Sequence, residues 1–252
     1  AQLMTSNISS ISAYVPEFGV FSLPYLFKTP EEILNYLATS DKAKELHAAL
    51  EEKGLLILGA NFYGSRCLST KGVDLCKSPD EFKAKGIKIR CMEPQVWKDI
   101  IGAMGCTPVP IAFSELYTAL QTGVVQGQDN PLANTVSQKL YEQLDKFYKT
   151  DHSYLISSFY TNPTAWDALP DDYKTLMAGQ MKKHMGEEDY GVLYAQYEAD
   201  GIGVLEANGV EVIEQSDIDM DSFYKAMEDM INEKYINDEV FGPIIEDIKA
   251  NS

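Results

Sequence analysis

Two arginines are the side chains best suited to hold an anion, and they are the only arginines among 252 residues. Arg66 follows a short apolar segment, Gly54–Ala60, which is typical of a buried strand. Arg90 lies between Ile89 and Cys91 in the predicted strand IKIRCM, so its side chain points to the face opposite theirs. A buried guanidinium needs an anionic partner, and it can hold a carboxylate through two parallel hydrogen bonds. That partner is either an internal acidic residue or a ligand, and these residues alone favour neither.

A polar turn, Gln128–Pro131, is a second candidate for ligand contact. The pattern before it predicts a helix over 114–121, ended by Gly123, and then a strand over 124–128. A turn at the carboxyl end of a parallel strand lies where open α/β sheets bind ligands, and the Asn130 amide offers both a donor and an acceptor. The alternative is an ordinary Asn-Pro turn.

Motifs of nucleophilic, metal-dependent and nucleotide-dependent catalysis are missing from the sequence. It contains no HExxH, no GxSxG, no phosphate-binding loop and no Cys/His cluster with zinc spacing, and only three histidines occur. We therefore expect no cofactor, no metal and no catalytic residue.

The charge balance excludes several kinds of partner. The 21 Lys and Arg against 38 Asp and Glu give a formal net charge of −17. Nucleic acids and anionic membranes need clustered cations, so both are poor partners. No apolar run approaches the ~20 residues that a membrane helix requires, which argues against direct membrane insertion. An anionic ligand would have to be held by specific arginines against this field.

The four cysteines leave the redox environment open. Cys67 and Cys76 flank LSTKGVDL, whose Lys-Gly turn could form a hairpin, so we predict a disulfide between them. Cys91 and Cys106 lie in or beside two successive predicted strands, and we expect buried thiols there, with a second bridge as the alternative. An even cysteine count permits disulfides without proving an oxidising compartment.

Helix and strand signals alternate along most of the chain, which predicts an α/β fold with a mostly parallel sheet. Thr29-Pro30 and Ser78-Pro79 are typical helix starts, with acidic residues in the first turn. One long helical pattern runs from Asp171 to Ala207. The other predicted helices cover residues 41–53, 94–104, 131–144, 221–235 and 240–250, and the predicted strands cover 55–60, 87–92, 107–111, 124–128 and 210–213.

Several strings together resemble a known family. They are AFSELYTALQTG followed by GQDNP, SISAYVPEFGVFSLPYLF, SPDEFKAKGIKIRCM and TNPTAWDALPDDYKTL. This combination resembles the solute-binding proteins of tripartite ATP-independent periplasmic (TRAP) transporters, of the DctP type, over nearly the whole chain. Two positions depart from the usual VDGQENP-like turn, since Gln126 replaces Asp and Asp129 replaces Glu.

The resemblance implies a two-lobed periplasmic-binding-protein fold, type II-like, with a hinge and a long helix that spans both lobes. Lobe I would comprise residues 1–63 plus 156–195, and lobe II residues 64–155 plus 196–252. The family usually begins with a further strand–helix–strand portion, and we expect that portion to be missing from the start of this sequence.

The family's site residues can be transferred to this sequence by matching motifs. The ligand-anchoring strand arginine falls on Arg90, and the assisting arginine falls on Arg66. The pocket aromatic falls on Phe113, and the asparagine of the turn falls on Asn130. The position three residues after the anchoring arginine, which faces the pocket in relatives, is Glu93.

The function implied is that of a periplasmic subunit, monomeric and without enzymatic activity, that delivers a small organic acid to membrane carrier subunits. In a Gram-positive cell it would be an extracytoplasmic, lipid-anchored protein. We favour a hydroxylated monocarboxylate, such as a sugar acid, because a hydroxyl can donate to Glu93 whereas a second carboxylate would be repelled. Phe113 would pack against either ligand. The alternatives are a C4-dicarboxylate or 2-oxo acid receptor of the same family, an enzyme acting on an organic acid, and an amino-acid receptor of an ATP-driven carrier, in which Glu93 would pair with the ammonium.

Overall fold

Capping residues begin the helices where the sequence predicted them. The computed structural model describes residues 3–185 and 187–251, although the side chains at 182, 184, 185, 187–193 and 195 lie outside the description. Thr29 Oγ1 accepts a hydrogen bond from the amide of Glu32 at 3.3 Å, and Ser78 Oγ accepts one from the amide of Glu81 at 3.4 Å. Each hydroxyl satisfies a helix N-terminal amide that has no partner inside the helix.

The strands are β1 Leu3–Asn7, β2 Leu56–Thr70, β3 Lys88–Cys91, β4 Thr107–Pro110, β5 Gly127–Pro131, β6 Lys146–Thr161 and β7 Glu211–Ile213. The helices before β5 are α1 Pro30–Thr39, α2 Asp41–Glu52, α3 Pro79–Lys85, α4 Gln95–Ala103 and α5 Leu116–Thr122. Those after β5 are α6 Leu132–Ser137, α7 Pro163–Asp167, α8 Asp171–Met185, α9 Glu187–Ala207, α10 Met220–Lys234 and α11 Gly242–Asn251. Short 3₁₀ helices occur at Ile8–Ala13, Pro16–Ser22, Phe113–Glu115, Leu140–Gln143 and Gln215–Asp217.

The strands form one mixed sheet in the order β1-β6-β2-β5-β3-β4, with β7 also paired to β6. The β3–β4, β3–β5 and β6–β7 pairs are parallel, whereas β1–β6, β2–β6 and β2–β5 are antiparallel. The prediction of a mostly parallel sheet was therefore wrong. The prediction rested on the alternation of helix and strand signals. It did not include β6, because the polar residues of 146–161 are not typical of a buried strand.

Strands β2 and β6 form a long antiparallel pair, which runs from Leu56 opposite Thr161 to Thr70 opposite Lys146. The register jumps in the middle of this pair. Arg66 is opposite Ser153 and Leu68 is opposite Tyr148, so residues 149–152 of β6 form a bulge. Bulges redirect side chains and often occur beside functional sites.

Two sequence expectations around β5 were displaced. The strand predicted at 124–128 is found at Gly127–Pro131, so the predicted turn is part of the strand. The helix predicted at 131–144 is reduced to α6 and a 3₁₀ turn. Gly123 does end α5, because its φ of 74° is a left-handed conformation that favours glycine. The long pattern at 171–207 is helical in α8 and α9, and Gly186 between them lies outside the described residues.

The largest hydrophobic core joins helices from both ends of the chain to the sheet. Phe18, Phe82, Trp97, Tyr148 and Phe223 belong to it, and each is at most 1% exposed. A separate small core lies between β2, α6 and α9 and contains the buried side chains of Cys67, Leu132, Phe147, Leu205 and Val210. The last helix, α11, joins the chain's beginning to its end, because Asp247 accepts hydrogen bonds from the Tyr36 and Ser40 hydroxyls of the α1–α2 segment at 2.7 and 3.0 Å.

All four cysteines are buried free thiols. The predicted Cys67–Cys76 disulfide was wrong, because β2 continues through Thr70 and places the two sulfurs in different cores. The expectation of buried thiols at Cys91 and Cys106 is confirmed.

Alkylation should reveal this thiol state. Native protein should react slowly with iodoacetamide, because burial raises the pKa of the Cys91 thiol to about 11 and raises the pKa of the other three as well. After denaturation without reductant, mass spectrometry should find four labels. A species with two labels would restore the disulfide hypothesis.

Candidate ligand-binding site

Arg90 is a buried cation in the middle of β3. Arg90 is only 3% exposed, and its Nε donates a hydrogen bond to the carbonyl oxygen of Ile111 at 2.8 Å. Its Cζ lies 5.6 Å from the centre of the Phe113 ring. Burial lowers the pKa of Arg90, and nearby Asp129 partly offsets this. Among the described side chains no carboxylate forms an ion pair with Arg90, so its two terminal nitrogens are available to an anion.

Arg66 has an internal partner. Its Nε donates to Asp129 Oδ2 at 2.8 Å, and its Nη2 donates to the carbonyl oxygen of Asp129 at 2.6 Å. The guanidinium also stacks on Trp97, with Cζ 4.4 Å from the ring centre. Arg66 therefore has an internal ion-pair partner, and its contact with a ligand stays a prediction.

A polar chain extends from this ion pair to the bulge of β6. His152 Nε2 lies 3.4 Å from Asp129 Oδ2, and its Nδ1 lies 2.9 Å from Thr150 Oγ1. Burial alone would raise the pKa of Asp129, but the Arg66 charge and the His152 hydrogen bond outweigh it and hold that pKa well below its usual range. Burial lowers the pKa of His152, although Asp129 opposes the shift, so the imidazole is neutral near pH 7.

These groups leave an excess of positive charge. Arg66 and Arg90 contribute two buried cations, Asp129 contributes one buried anion, and His152 is neutral. One ligand carboxylate would balance the count. The buried atoms Asp129 Oδ1 and Trp97 Nε1 also lack hydrogen-bond partners within the described chain, which is typical of a site completed by a ligand or by water.

Asn130 lies on the same face of the sheet as Arg90. Arg90 is the register partner of Gln128, and Asn130 is two residues further along β5. The Asn130 Nδ2 donates to Gln128 Oε1, and its Oδ1 accepts from Asn134 Nδ2 at 3.4 Å. Gln128 in turn donates to Ser69 Oγ at 2.6 Å. This amide network holds Asn130 in a fixed orientation beside the arginine.

Glu93 and Phe113 are more exposed than the other predicted residues. Phe113 begins a 3₁₀ helix and is 42% exposed, so one face of its ring contacts Arg90 while the rest is accessible. Glu93 lines a cavity of about 800 Å³, and it is the only one of the five predicted residues to do so. The cavity is also lined by Ser10, Ser12, Ala13, Pro16, Gly19, Met92, Pro94, Gln95, Val96, Asp99, Lys234, Tyr235, Asp238 and Phe241.

The structure thus brings Arg90, Phe113 and Asn130 together, pairs Arg66 internally, and puts Glu93 in the neighbouring cavity. Sequence reasoning missed His152, which the β6 bulge brings against Asp129. The many aromatic and β-branched residues of 146–161, which favour strands, were the signal that could have found this strand.

An arginine that is buried without a carboxylate partner in the described chain, close to a cavity, is an arrangement suited to the binding of a small anion. The chain matches the family model "Bacterial extracellular solute-binding protein, family 7" (DctP) over residues 1–238. It therefore belongs to this family, the DctP-type extracellular solute-binding proteins of TRAP transporters.

Two similar proteins are named for the solutes that they bind. The chain is 37% identical over 161 residues to the C4-dicarboxylate-binding periplasmic protein DctP of Rhodobacter capsulatus, covering 64% of this chain and 47% of that protein. It is 31% identical over 205 residues to the ectoine/5-hydroxyectoine-binding periplasmic protein UehA of Ruegeria pomeroyi, covering 79% and 57%. The chain spans about half the length of the curated relatives it matches.

Solved structures confirm the two-lobed fold. A TRAP periplasmic solute-binding protein from Polaromonas bound to D-erythronate has a TM-score of 0.85 at 28% identity, with coverage of 99% of this chain and 79% of that chain. One from Bradyrhizobium in complex with D-galacturonate has a TM-score of 0.85 at 26% identity, with coverage of 99% and 80%. Every helix in the described part of the chain is too short or too polar to cross a bilayer.

The neutral His152 should make stability depend on pH. Because its folded pKa is lowered, the unfolded chain takes up a proton below about pH 6.5 that the folded chain does not bind, so stability should fall as pH falls through that value. We expect His152→Gln, which can keep both hydrogen bonds, to flatten this slope by up to ~1.4 kcal/mol per pH unit. Urea unfolding between pH 7 and 5 measures it.

The matched control is His47→Gln, on half-buried α2, where burial also lowers the histidine pKa but no buried carboxylate is in contact. Because His47 is only partly buried whereas His152 is fully buried, His47→Gln should reduce the dependence of stability on pH by less than His152→Gln does. Equal slopes for wild type and His152→Gln would contradict the assignment.

Proposed function

We propose that this chain is the extracytoplasmic ligand-binding subunit of a TRAP transporter and that Arg90 anchors the carboxylate of a small organic acid. The proposal rests on the buried Arg90 guanidinium, whose charge has no carboxylate partner among the described side chains. A bidentate carboxylate would offset the desolvation of that charge. Phe113 would form one wall, and Asn130 would supply a fixed amide. The protein would act as a monomer in the periplasm and would not turn its ligand over.

Arg66 has a supporting role in this proposal. Its ion pair with Asp129 keeps the second guanidinium in place, and its positive field acts on the same region. The ligand would then contact lobe I (residues 1–63 plus 156–195) and lobe II (residues 64–155 plus 196–252). It would favour the closed state through its higher affinity for that state. The α11–α1 hydrogen bonds provide a further link between these divisions.

We favour a hydroxylated monocarboxylate, such as a sugar acid, as the ligand. Erythronate- and galacturonate-bound relatives share the fold, and the cavity beside Glu93 is large enough for a sugar acid. Serine hydroxyls and acidic side chains line it, and these match ligand hydroxyl groups. The second candidate is a C4-dicarboxylate, which is favoured by the name of the Rhodobacter relative.

Substitution of Arg90 tests the anchor. Arg90→Lys should keep the fold but weaken organic-acid binding by roughly 10- to 100-fold, because one ammonium cannot replace two parallel hydrogen bonds. Isothermal calorimetry should be run with the best ligand from a thermal-shift panel of sugar acids, dicarboxylates, 2-oxo acids and amino acids. The control is Lys88→Ala, an exposed cation on the same strand, which should bind normally. Unchanged affinity in Arg90→Lys would refute the anchor.

Glu93 decides between the ligand classes. Glu93→Gln should weaken sugar-acid binding, because a carboxylate accepts hydroxyl hydrogen bonds more strongly than an amide does, and should leave dicarboxylate binding equal or improved. A competition assay measures both affinities. Tighter binding of succinate or malate than of any aldonate or uronate would overturn the sugar-acid preference. Turnover of the bound acid would instead favour an enzyme.

A further inference from the structure

A second cavity lies over the bulge of β6, away from the predicted anion contacts. Its volume is about 430 Å³, and it is lined by Tyr25, Phe27, Lys28, Ser65, Asp151, Tyr154, Gln215 and Tyr224. None of the five predicted site residues lines it. Ser65 precedes Arg66 on β2, and alternation along a strand points their side chains to opposite faces of the sheet. The cavity beside Glu93 and this cavity share no lining residue.

Two residues of this cavity have strained backbones. Tyr25 has a φ of 55° and Asp151 a φ of 41°, in the left-handed region that non-glycine residues rarely adopt. In the described part of the chain, Lys139 is the only other non-glycine residue with a positive φ. Such strain persists where surrounding contacts enforce it, and it concentrates at functional sites.

Asp151 has no cationic partner among the described side chains. Its Oδ1 accepts from the Cys67 thiol at 3.2 Å and its Oδ2 from the Gln215 amide at 2.9 Å, and both donors are neutral. The nearby cation Lys149 is paired with Glu214 at 3.0 Å. Lys28 lines the same cavity but forms no ion pair within the described chain.

The Asp151 charge acts on two neighbouring titratable groups. Burial raises the pKa of Glu198, and the Asp151 charge raises it further. Burial likewise raises the pKa of Tyr25, again with a contribution from Asp151. Both shifts place the Asp151 carboxylate close to these two side chains, and Asp151 is the only carboxylate among the residues that line the cavity.

Three tyrosine rings line the same cavity as the Asp151 carboxylate. Tyr25 and Tyr224 meet edge to face with ring centres 4.5 Å apart. The Tyr25 hydroxyl donates to the Thr150 carbonyl oxygen at 2.9 Å, and the Tyr154 hydroxyl donates to the Lys28 carbonyl oxygen at 2.8 Å. Both rings are therefore held in place before anything binds. Aromatic faces around a carboxylate attract an organic cation through cation–π and Coulomb interactions together.

We propose that this cavity, built from the Asp151 carboxylate and the rings of Tyr25, Tyr154 and Tyr224, is a binding site for a small organic ammonium cation. The ammonium would lie between the carboxylate and the ring faces. The site is independent of the organic-acid site, since its counter-ion and its lining are different. It is joined to the Arg66–Asp129 pair through Ser65, which precedes Arg66, and through the bulge, where His152 follows Asp151.

Choline is the probe, and calorimetry at constant ionic strength is the measurement. Wild type should bind choline, and its neutral isostere 3,3-dimethylbutan-1-ol, in which carbon replaces the nitrogen, should bind at least about tenfold more weakly. Asp151→Asn should lose at least about tenfold in choline affinity, and asparagine tolerates the left-handed backbone. Tyr224→Leu should also weaken binding. Asp80→Asn, an exposed carboxylate in the first turn of α3, should bind as wild type does.

The proposal would be overturned by no choline binding in wild type, by equal binding of the neutral isostere, or by unchanged affinity in Asp151→Asn. Choline binding that occurs only in Lys28→Ala would also overturn it, because the lysine would then be the native occupant. Arg90→Lys should leave choline affinity unchanged, so failure at one site is distinguishable from failure at the other. The melting temperature of each variant without ligand reports whether it folds.

Discussion

The compensation of buried positive charge is the constraint on which this structure depends. Removing a guanidinium from water costs several kcal/mol unless an anion or an equivalent set of acceptors replaces the solvent. The chain meets that cost in two ways. It supplies Asp129 for Arg66 from the neighbouring strand, while Arg90 receives a carbonyl oxygen and the face of an aromatic ring. Arg66 is thus neutralised by an acidic residue of the described chain, whereas the charge of Arg90 would be neutralised by an anion from outside it.

The β2–β6 pair makes both arrangements possible. A continuous antiparallel ribbon would leave no room for polar side chains at its centre, but the bulge at 149–152 turns His152 toward Asp129 and Asp151 toward the tyrosines. One irregularity in the hydrogen-bond ladder thus positions a buried histidine beside the Arg66–Asp129 pair and a carboxylate in the tyrosine-lined cavity. The Asp151 carboxylate accepts hydrogen bonds from Cys67 and Gln215 and forms no ion pair with Arg90 within the described chain, so it does not compete with a ligand for that arginine.

Local signals in the sequence predicted most helices and the position of Arg90, because caps, prolines and apolar flanks act within a few residues. Strand pairing could not be predicted in this way. The partner of Arg66 is Asp129, which is 63 residues away, and the choice between internal pair and ligand depended on a register that only the folded sheet defines. The family resemblance identified Asn130 and Phe113 as site residues. The resemblance did not reveal the bulge of β6. The residues at 149–152 are polar, and a polar segment is equally typical of an exposed loop.

The order of strands in the sheet has a consequence for how the chain folds. Leu3 at the start of β1 pairs with Thr161 at the end of β6, and β2 pairs with the same strand. The strand at the centre of these contacts is therefore made more than a hundred residues after its first partner. Closing so long a loop carries a large entropic cost, and folds dominated by distant contacts fold slowly. Until β6 arrives, β1 and β2 have unpaired edges, so the interval between synthesis and sheet closure is when this chain is most exposed to aggregation.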